Sequence, residues 1–256
     1  MNEMAKELVQ FYQADEGFAG KEQFVICADD INLGLNHMQA YGDLQPDLGD
    51  VRDVVERIEG LQQLTGGLVV DGMLGRRTLR FMRSVPRCPN HPTNDFFDLL
   101  RLSSRGKEVL YFVHDLPNVT GGSALGILET AFEVWRAVSN SSIPVERVSR
   151  SEANVIISTG IERPDGEGGT LGEAHLGPPG DTARQLGVWL DNDETWVASS
   201  QYPGTLMSQV LTHELGHMLG LEHTNTRGQL MFPYYNAGVI SPQAEDRQRI
   251  RQIWPA

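Results

Sequence analysis

Residues 213–223 read HELGHMLGLEH, and no other stretch of this 256-residue chain concentrates so much reactive chemistry. His213 and His217 are four apart, so on a helix they project from one face, one turn apart. Two imidazoles so placed can share one tetrahedral zinc at about 2.0–2.1 Å. Glu214 is badly placed to join that coordination but can reach a water beside the metal. Gly220 is a natural stop for the helix, since glycine accepts positive φ at a C-cap, and the turn beyond it can return His223 as a third ligand. Three neutral nitrogens and one open position describe a catalytic rather than a structural zinc. Such a zinc lowers the pKa of water to about 7 and polarises a carbonyl. Glu214 is then the general base, taking the water proton and passing it to a leaving amine. A bare HExxH arises often by chance; a glycine and a third histidine at fixed offsets are far more restrictive.

A scaffold must hold that helix. With 40% hydrophobic residues the chain has material for a real core, and its length suits one large domain or two smaller ones. Acidic residues number 34 and basic ones 21, a net charge of −13 that argues against a nucleic-acid partner. No apolar run approaches about 18 residues, so no transmembrane helix and no membrane partner are expected. The polar, acidic N-terminus shows no secretory leader. Two cysteines, Cys27 and Cys88, make no disulfide scaffold. Helical spacing runs over 29–41 and over 50–64, the latter with Asp50 as N-cap, and a short helix near Arg76 buries Leu79 and Met82. Pro86, Pro89 and Pro92 then break the pattern over 85–95, where a domain boundary is expected. Beyond it the signals alternate. Strands are expected over 107–114, 143–149, 154–158 and 187–191, with a long Gly/Pro/Asp-rich loop over 160–185. Helices are expected over 123–138 (N-cap Ser123), from near Thr205, and over 243–254.

These residues together resemble a matrix metalloproteinase (matrixin) of the metzincin clan. In GQLMFPYY (228–235), Met231 takes the place of the clan's Met-turn beneath the zinc. The resemblance implies an α+β fold: a twisted mixed sheet with an active-site helix and a C-terminal helix over 96–256, preceded by a small all-α propeptide-like domain over 1–95. DGEGGTLGEA (165–174) looks like the family's calcium loop with the strand after it, and LDNDETW (190–196) like its acidic strand end. The implied calcium ligands are Asp165, Asp191 and Glu194 by side chain and Gly166, Gly168 and Thr170 by carbonyl, the hard oxygens calcium requires. One departure matters. The family's second, structural zinc needs three histidines and an aspartate. Here no His-x-Asp precedes Asp165, Glu173 and Trp189 fill the histidine positions, and His175 lies two residues away. One zinc is expected.

GLQQLTGGLVVDGMLGRRTLRFM (60–82) resembles the peptidoglycan-binding-like fold that forms the core of the matrixin propeptide. Pro86, Arg87 and Cys88 look like the start of its cysteine switch, in which a thiolate about 2.3 Å from zinc fills the fourth position and keeps a zymogen latent. The match is partial: Pro89, Asn90, His91 and Pro92 stand where the motif has Gly-x-Pro-Asp, and Asp95 is the remaining partner for Arg87. Cys88 as an ordinary linker cysteine, or paired with Cys27, is the other reading. By resemblance, Pro233 to Pro242 wall the specificity pocket, with Tyr235 on that wall, and the pocket takes an apolar side chain just after the cleaved bond. Leu171 and Gly172 line the other side and offer backbone hydrogen bonds to an extended substrate. A secreted monomer acting on protein or peptide substrates is implied, without a hemopexin-like repeat. From a different class comes a cell-wall-binding protein or wall hydrolase tethered to peptidoglycan by the N-terminal module. His37, His91 and His114 show no ligand spacing.

Overall fold

The structure, a computed structural model, describes residues 2–14, 28–40, 43–44, 49–65, 68–84, 88, 108–140, 143–161, 167–179 and 185–255. The expectations for Cys27, Arg87, Pro89, Asn90, His91, Pro92, Asp95, Asp165 and Gly166 lie outside those residues. The chain divides into two compact units, Met1–Val85 and Pro86–Ala256.

The first unit is helical: α1 (Asn2–Ala14), α2 (Ala28–Ala40), α3 (Val51–Thr65) and α4 (Arg76–Ser84). Asp50 caps α3, its Oδ1 accepting from Arg52 N at 2.7 Å and Asp53 N at 3.1 Å, while Asp53 accepts in return from Asp50 N. Leu8, Ile31, Leu35, Met38, Ile58 and Leu74 are fully buried. One amide joins this apolar core. Gln62 donates to Asp71 Oδ1 at 2.8 Å and Met73 O at 2.9 Å, and accepts from Asp71 N and Gly72 N, both at 2.9 Å. Every hydrogen-bonding need of the buried amide is met, so it fastens the turn before α4 rather than weakening the core.

The second unit begins with β1 (Val109–Val113), α5 (Ala124–Val138), β2 (Val145–Arg147), β3 (Val155–Thr159), β4 (Gly172–Ala174) and β5 (Leu186–Leu190). It continues through β6 (Trp196–Val197), β7 (Thr205–Leu206), α6 (Met207–Met218) and α7 (Ala244–Ile253). Among the described residues the main sheet has the order β2-β1-β3-β5-β4. Its first four members run parallel and β4 pairs antiparallel with β5, Glu173 opposite Trp189. Alternation along the strands turns Val109, Tyr111, Val155 and Ile157 into the core. They meet Leu128, Phe132 and Trp135 of α5 and the almost wholly buried α6.

Ser123 caps α5 by accepting from Gly126 N at 3.3 Å. α6 starts two residues later than Thr205, because Thr205 and Leu206 pair in parallel with Trp196 and Val197. Strands of two or three residues carry too little periodicity to be seen in sequence, which is why β6 and β7 were absent from the expected elements. No helix among the described residues is long and apolar enough to cross a membrane.

Candidate metal centre

Two indoles suspend α6. Trp135 Nε1 of α5 donates to Thr212 O at 2.8 Å, and Trp254 Nε1 donates to Leu219 O at 2.9 Å. Past Met218 the chain closes with Gly220 N on His217 O at 2.8 Å and Leu221 N on Gly216 O at 2.9 Å, Gly220 taking φ +105°. Only glycine adopts that conformation freely, and it turns the backbone so that His223 comes back toward the helix.

The three Nε2 atoms converge: His213 and His217 are 3.1 Å apart, His217 and His223 3.1 Å, His213 and His223 3.3 Å. His213 Nδ1 lies 2.7 Å from Leu230 O, and His217 Nδ1 2.7 Å from Leu221 O. A carbonyl can only accept, so both Nδ1 atoms carry the hydrogens and both Nε2 lone pairs face the common point. A tetrahedral ion with bonds of about 2.0–2.1 Å needs nitrogens about 3.3–3.4 Å apart. Cys88 Sγ sits 3.6 Å from His217 Nε2, the separation that a bond of about 2.3 Å beside one of about 2.05 Å would give. The four donor atoms all lie within 4.8 Å of one another. Imidazole and thiolate are zinc's preferred donors, so this set fits that ion.

Glu214 is 1% exposed, and its Oε2 accepts from Cys88 Sγ at 3.8 Å. Burial pushes its carboxyl up to about 8; the Cys88 thiol opposes this, and the Glu173 charge adds to it. Met231 is fully buried and packs against Gly216 of α6. A methyl on Gly216 would collide with its sulfur and stand 2.8 Å from the Trp135 ring.

Three features of the site were not seen in sequence. Asp246 is 0% exposed. Its Oδ2 accepts from Leu230 N and Gln243 N, both at 2.8 Å, and its Oδ1 from Met231 N at 3.3 Å. It grips the peptide whose carbonyl orients His213. In sequence it is only an acidic residue in a helix's first turn. Gln209 is 4% exposed and lines the cleft beside His213. Its spacing of four before His213 was the available signal. Trp135 was read as one more apolar position of α5.

A cleft of about 260 Å³ adjoins the histidines, lined by Cys88, Leu171, Gly172, Gln209, Val210, Phe232, Pro233 and Tyr235. Leu171, Gly172, Pro233 and Tyr235 therefore meet at one place, and Tyr235 is tied to the start of α6 by Leu206 N donating to its hydroxyl at 2.9 Å. Cys88 N donates to Pro233 O at 2.8 Å.

Of the acidic group, Asp191 and Glu194 are buried near one another, and Gly168 N and Thr205 Oγ1 donate to the two oxygens of Glu194. Burial raises the Glu194 carboxyl, against the pull of Gly168 and Thr205, with the Asp191 and Glu167 charges adding to the rise. Thr170 is buried close by in sequence. On the far side of the β4–β5 pair, His175 stands edge-on to Trp189 at 4.9 Å, and its Nδ1 accepts from Gly187 N at 2.9 Å.

A mixed sheet thus backs a buried His-Glu helix, and a third imidazole closes a donor set able to hold one metal ion. Residues 106–255 match the Matrixin family model; the chain belongs to the matrixin family. It is also similar to matrix metalloproteinase-18 of Xenopus laevis, at 27% identity over 253 residues, which covers 92% of this chain and 52% of that protein. The chain thus spans about half the length of that curated relative.

Proposed function

We propose that this chain is a zinc-dependent endopeptidase in which Glu214 is the general base, held latent by Cys88. The convergence of three Nε2 atoms within 3.1–3.3 Å of one another carries the reading. His213, His217 and His223 would hold the ion. Zinc, when bound, supplies a Lewis acid for the scissile carbonyl and an acidified water. Glu214 takes a proton from the attacking water and delivers it to the departing amine. Its burial makes both transfers feasible at one carboxyl. Leu171 and Gly172 face the cleft from beside β4, the edge of the sheet, and offer main-chain groups to an extended substrate. Pro233 and Tyr235 form the opposite wall.

Cys88 supports latency in two ways. Its thiol occupies the fourth donor position, and it engages the carboxylate that must handle the water. Residues 1–95 then act as the inhibitory propeptide of a secreted zymogen, and 96–256 as the protease. A calcium ion at Asp165, Gly166, Gly168, Thr170, Asp191 and Glu194 would neutralise the paired buried carboxylates of Asp191 and Glu194. The test combines zinc content with casein hydrolysis. Cys88→Ser should raise hydrolysis at unchanged zinc, and Glu214→Ala in that background should abolish it with zinc retained. No hydrolysis by the zinc-loaded Cys88→Ser chain would refute the reading.

A further inference from the structure

Among the described residues β4 ends the main sheet, so one of its edges pairs with β5 and the other is left to an extended substrate. The ladder that holds β4 closes in an unusual way. Asp191 N donates to Leu171 O at 3.0 Å at one end, and His175 N donates to Gly187 O at 2.9 Å at the other. In an antiparallel hydrogen-bonded pair the return bond runs from backbone to backbone. Here Gly187 N donates instead to the imidazole, to Nδ1 of His175 at 2.9 Å. An N–H can only donate, so Nδ1 carries the lone pair. Gly187 has no side chain, and the Trp189 ring lies where one would stand: a methyl on Gly187 would collide with it. His175 meets that ring edge-on at 4.9 Å. Past His175 the chain leaves β5, and Gly177 N donates to His217 O at 2.9 Å. Imidazole, indole and glycine thus form a clasp where the chain passes from the sheet to the end of α6.

We propose that His175 and Trp189 are positioning residues for the substrate: their clasp on Gly187 fixes β4 so that Leu171 and Gly172 present their main-chain groups to an extended peptide without the help of a second metal ion. The inference rests on the endopeptidase reading above. Glu173 and Trp189, a directly opposed pair, stand where the family's second zinc takes histidines. An indole offers a metal no lone pair, and Nδ1 of His175 is already committed to Gly187 N, so these residues do not fit that ion. Residues 173, 175, 187 and 189 alternate with the buried Gly172, Ala174, Val188 and Leu190 and share the outer face of the pair. The clasp therefore acts on the cleft through the backbone of β4. Loosening it weakens the main-chain contacts that substrate and transition state make alike, which raises KM and spares kcat.

The experiment uses the full-length chain with Cys88→Ser, loaded with zinc, as parent, and an extended peptide substrate. His175→Ala in that background should raise KM about fivefold, the scale of one net hydrogen bond, with kcat and zinc content unchanged. His175→Asn, whose Oδ1 can accept from Gly187 N, should restore most of the affinity. Gly187→Ala, which displaces the Trp189 ring, should raise KM as His175→Ala does. A fall in kcat alone overturns the proposal, and so does an asparagine variant no better than the alanine one. Zinc content of the parent tests the proposal even where the variants fail to fold: one tightly held ion per chain is expected, and two overturn it, because the second metal would then hold the strand. A parent that cleaves with KM indifferent to His175→Ala removes the clasp alone. A parent that cleaves nothing removes the endopeptidase reading, and the clasp's part in binding substrate with it.

Discussion

Two residues past β1, Asp115 gathers three donors from the end of β3 onto one carboxylate: Ser158 Oγ at 2.7 Å, Thr159 N at 2.9 Å and Thr159 Oγ1 at 2.8 Å. The Ser158 hydroxyl is the largest influence holding its pKa below the usual carboxylate range, followed among the lowering effects by the two Thr159 groups and His114. A depressed pKa means the folded state favours the charged form. Its contribution to stability is therefore complete above the unfolded value of about 3.9 and is lost as pH falls through the folded value. Solvent screens this exposed group, so the effect stays below about 1 kcal/mol. Asp115→Asn should lower Tm by about 1–3 °C at pH 7, with the gap to the parent closing near pH 3. Thermal melts at the two pH values check this; a gap that widens in acid would contradict it. Such a residue is unreadable in sequence, because its partners are 43 and 44 residues away. The three converging histidines were readable because all of them fall within eleven consecutive residues on a helix and its turn.

Among the elements, α6 and the segment beneath it depend on two close approaches. Gly216 faces Met231 and Trp135 with no room for a methyl. Gly216→Ala should cost about 1–3 kcal/mol through overpacking, and it should weaken zinc binding because the same helix carries His213 and His217. Chemical denaturation alongside a competitive zinc titration would reveal both losses; full stability with native affinity would show that the segment yields. Asp246 provides the second approach. Asp246→Ala strands three backbone N–H groups, two of them at Leu230 and Met231, and should cost roughly 2–4 kcal/mol. Asp246→Asn keeps an acceptor and should recover part of that loss. Much of this framework could be read beforehand. α3 and α5 announce themselves through apolar spacing and through the caps Asp50 and Ser123. The short strands β4, β6 and β7 do not, since pairing with distant partners rather than local pattern creates them. Asp246 and Gln62 escaped notice for a related reason: a polar residue in a helix reads as solvated until the fold supplies its buried partners.

For the molecule as a whole, the four side chains able to hold one small ion come from α6, the turn after it and the segment at Cys88. Binding to the folded state alone stabilises it, by about 2.7 kcal/mol when free zinc is a hundredfold above Kd. Chelation should therefore lower the melting temperature of the second unit by roughly 5–10 °C and leave the helical first unit where it was. Calorimetry with and without o-phenanthroline tests this, and an unmoved transition would mean the ion adds nothing to folding. The suspension of α6 from Trp135 and Trp254 has an optical consequence. Two of the chain's four tryptophans are hydrogen-bonded to carbonyls on either side of His213 and His217. Intrinsic fluorescence is thus a built-in gauge of α6: its emission should shift to the red as water reaches those rings, reporting in real time when the helix comes loose.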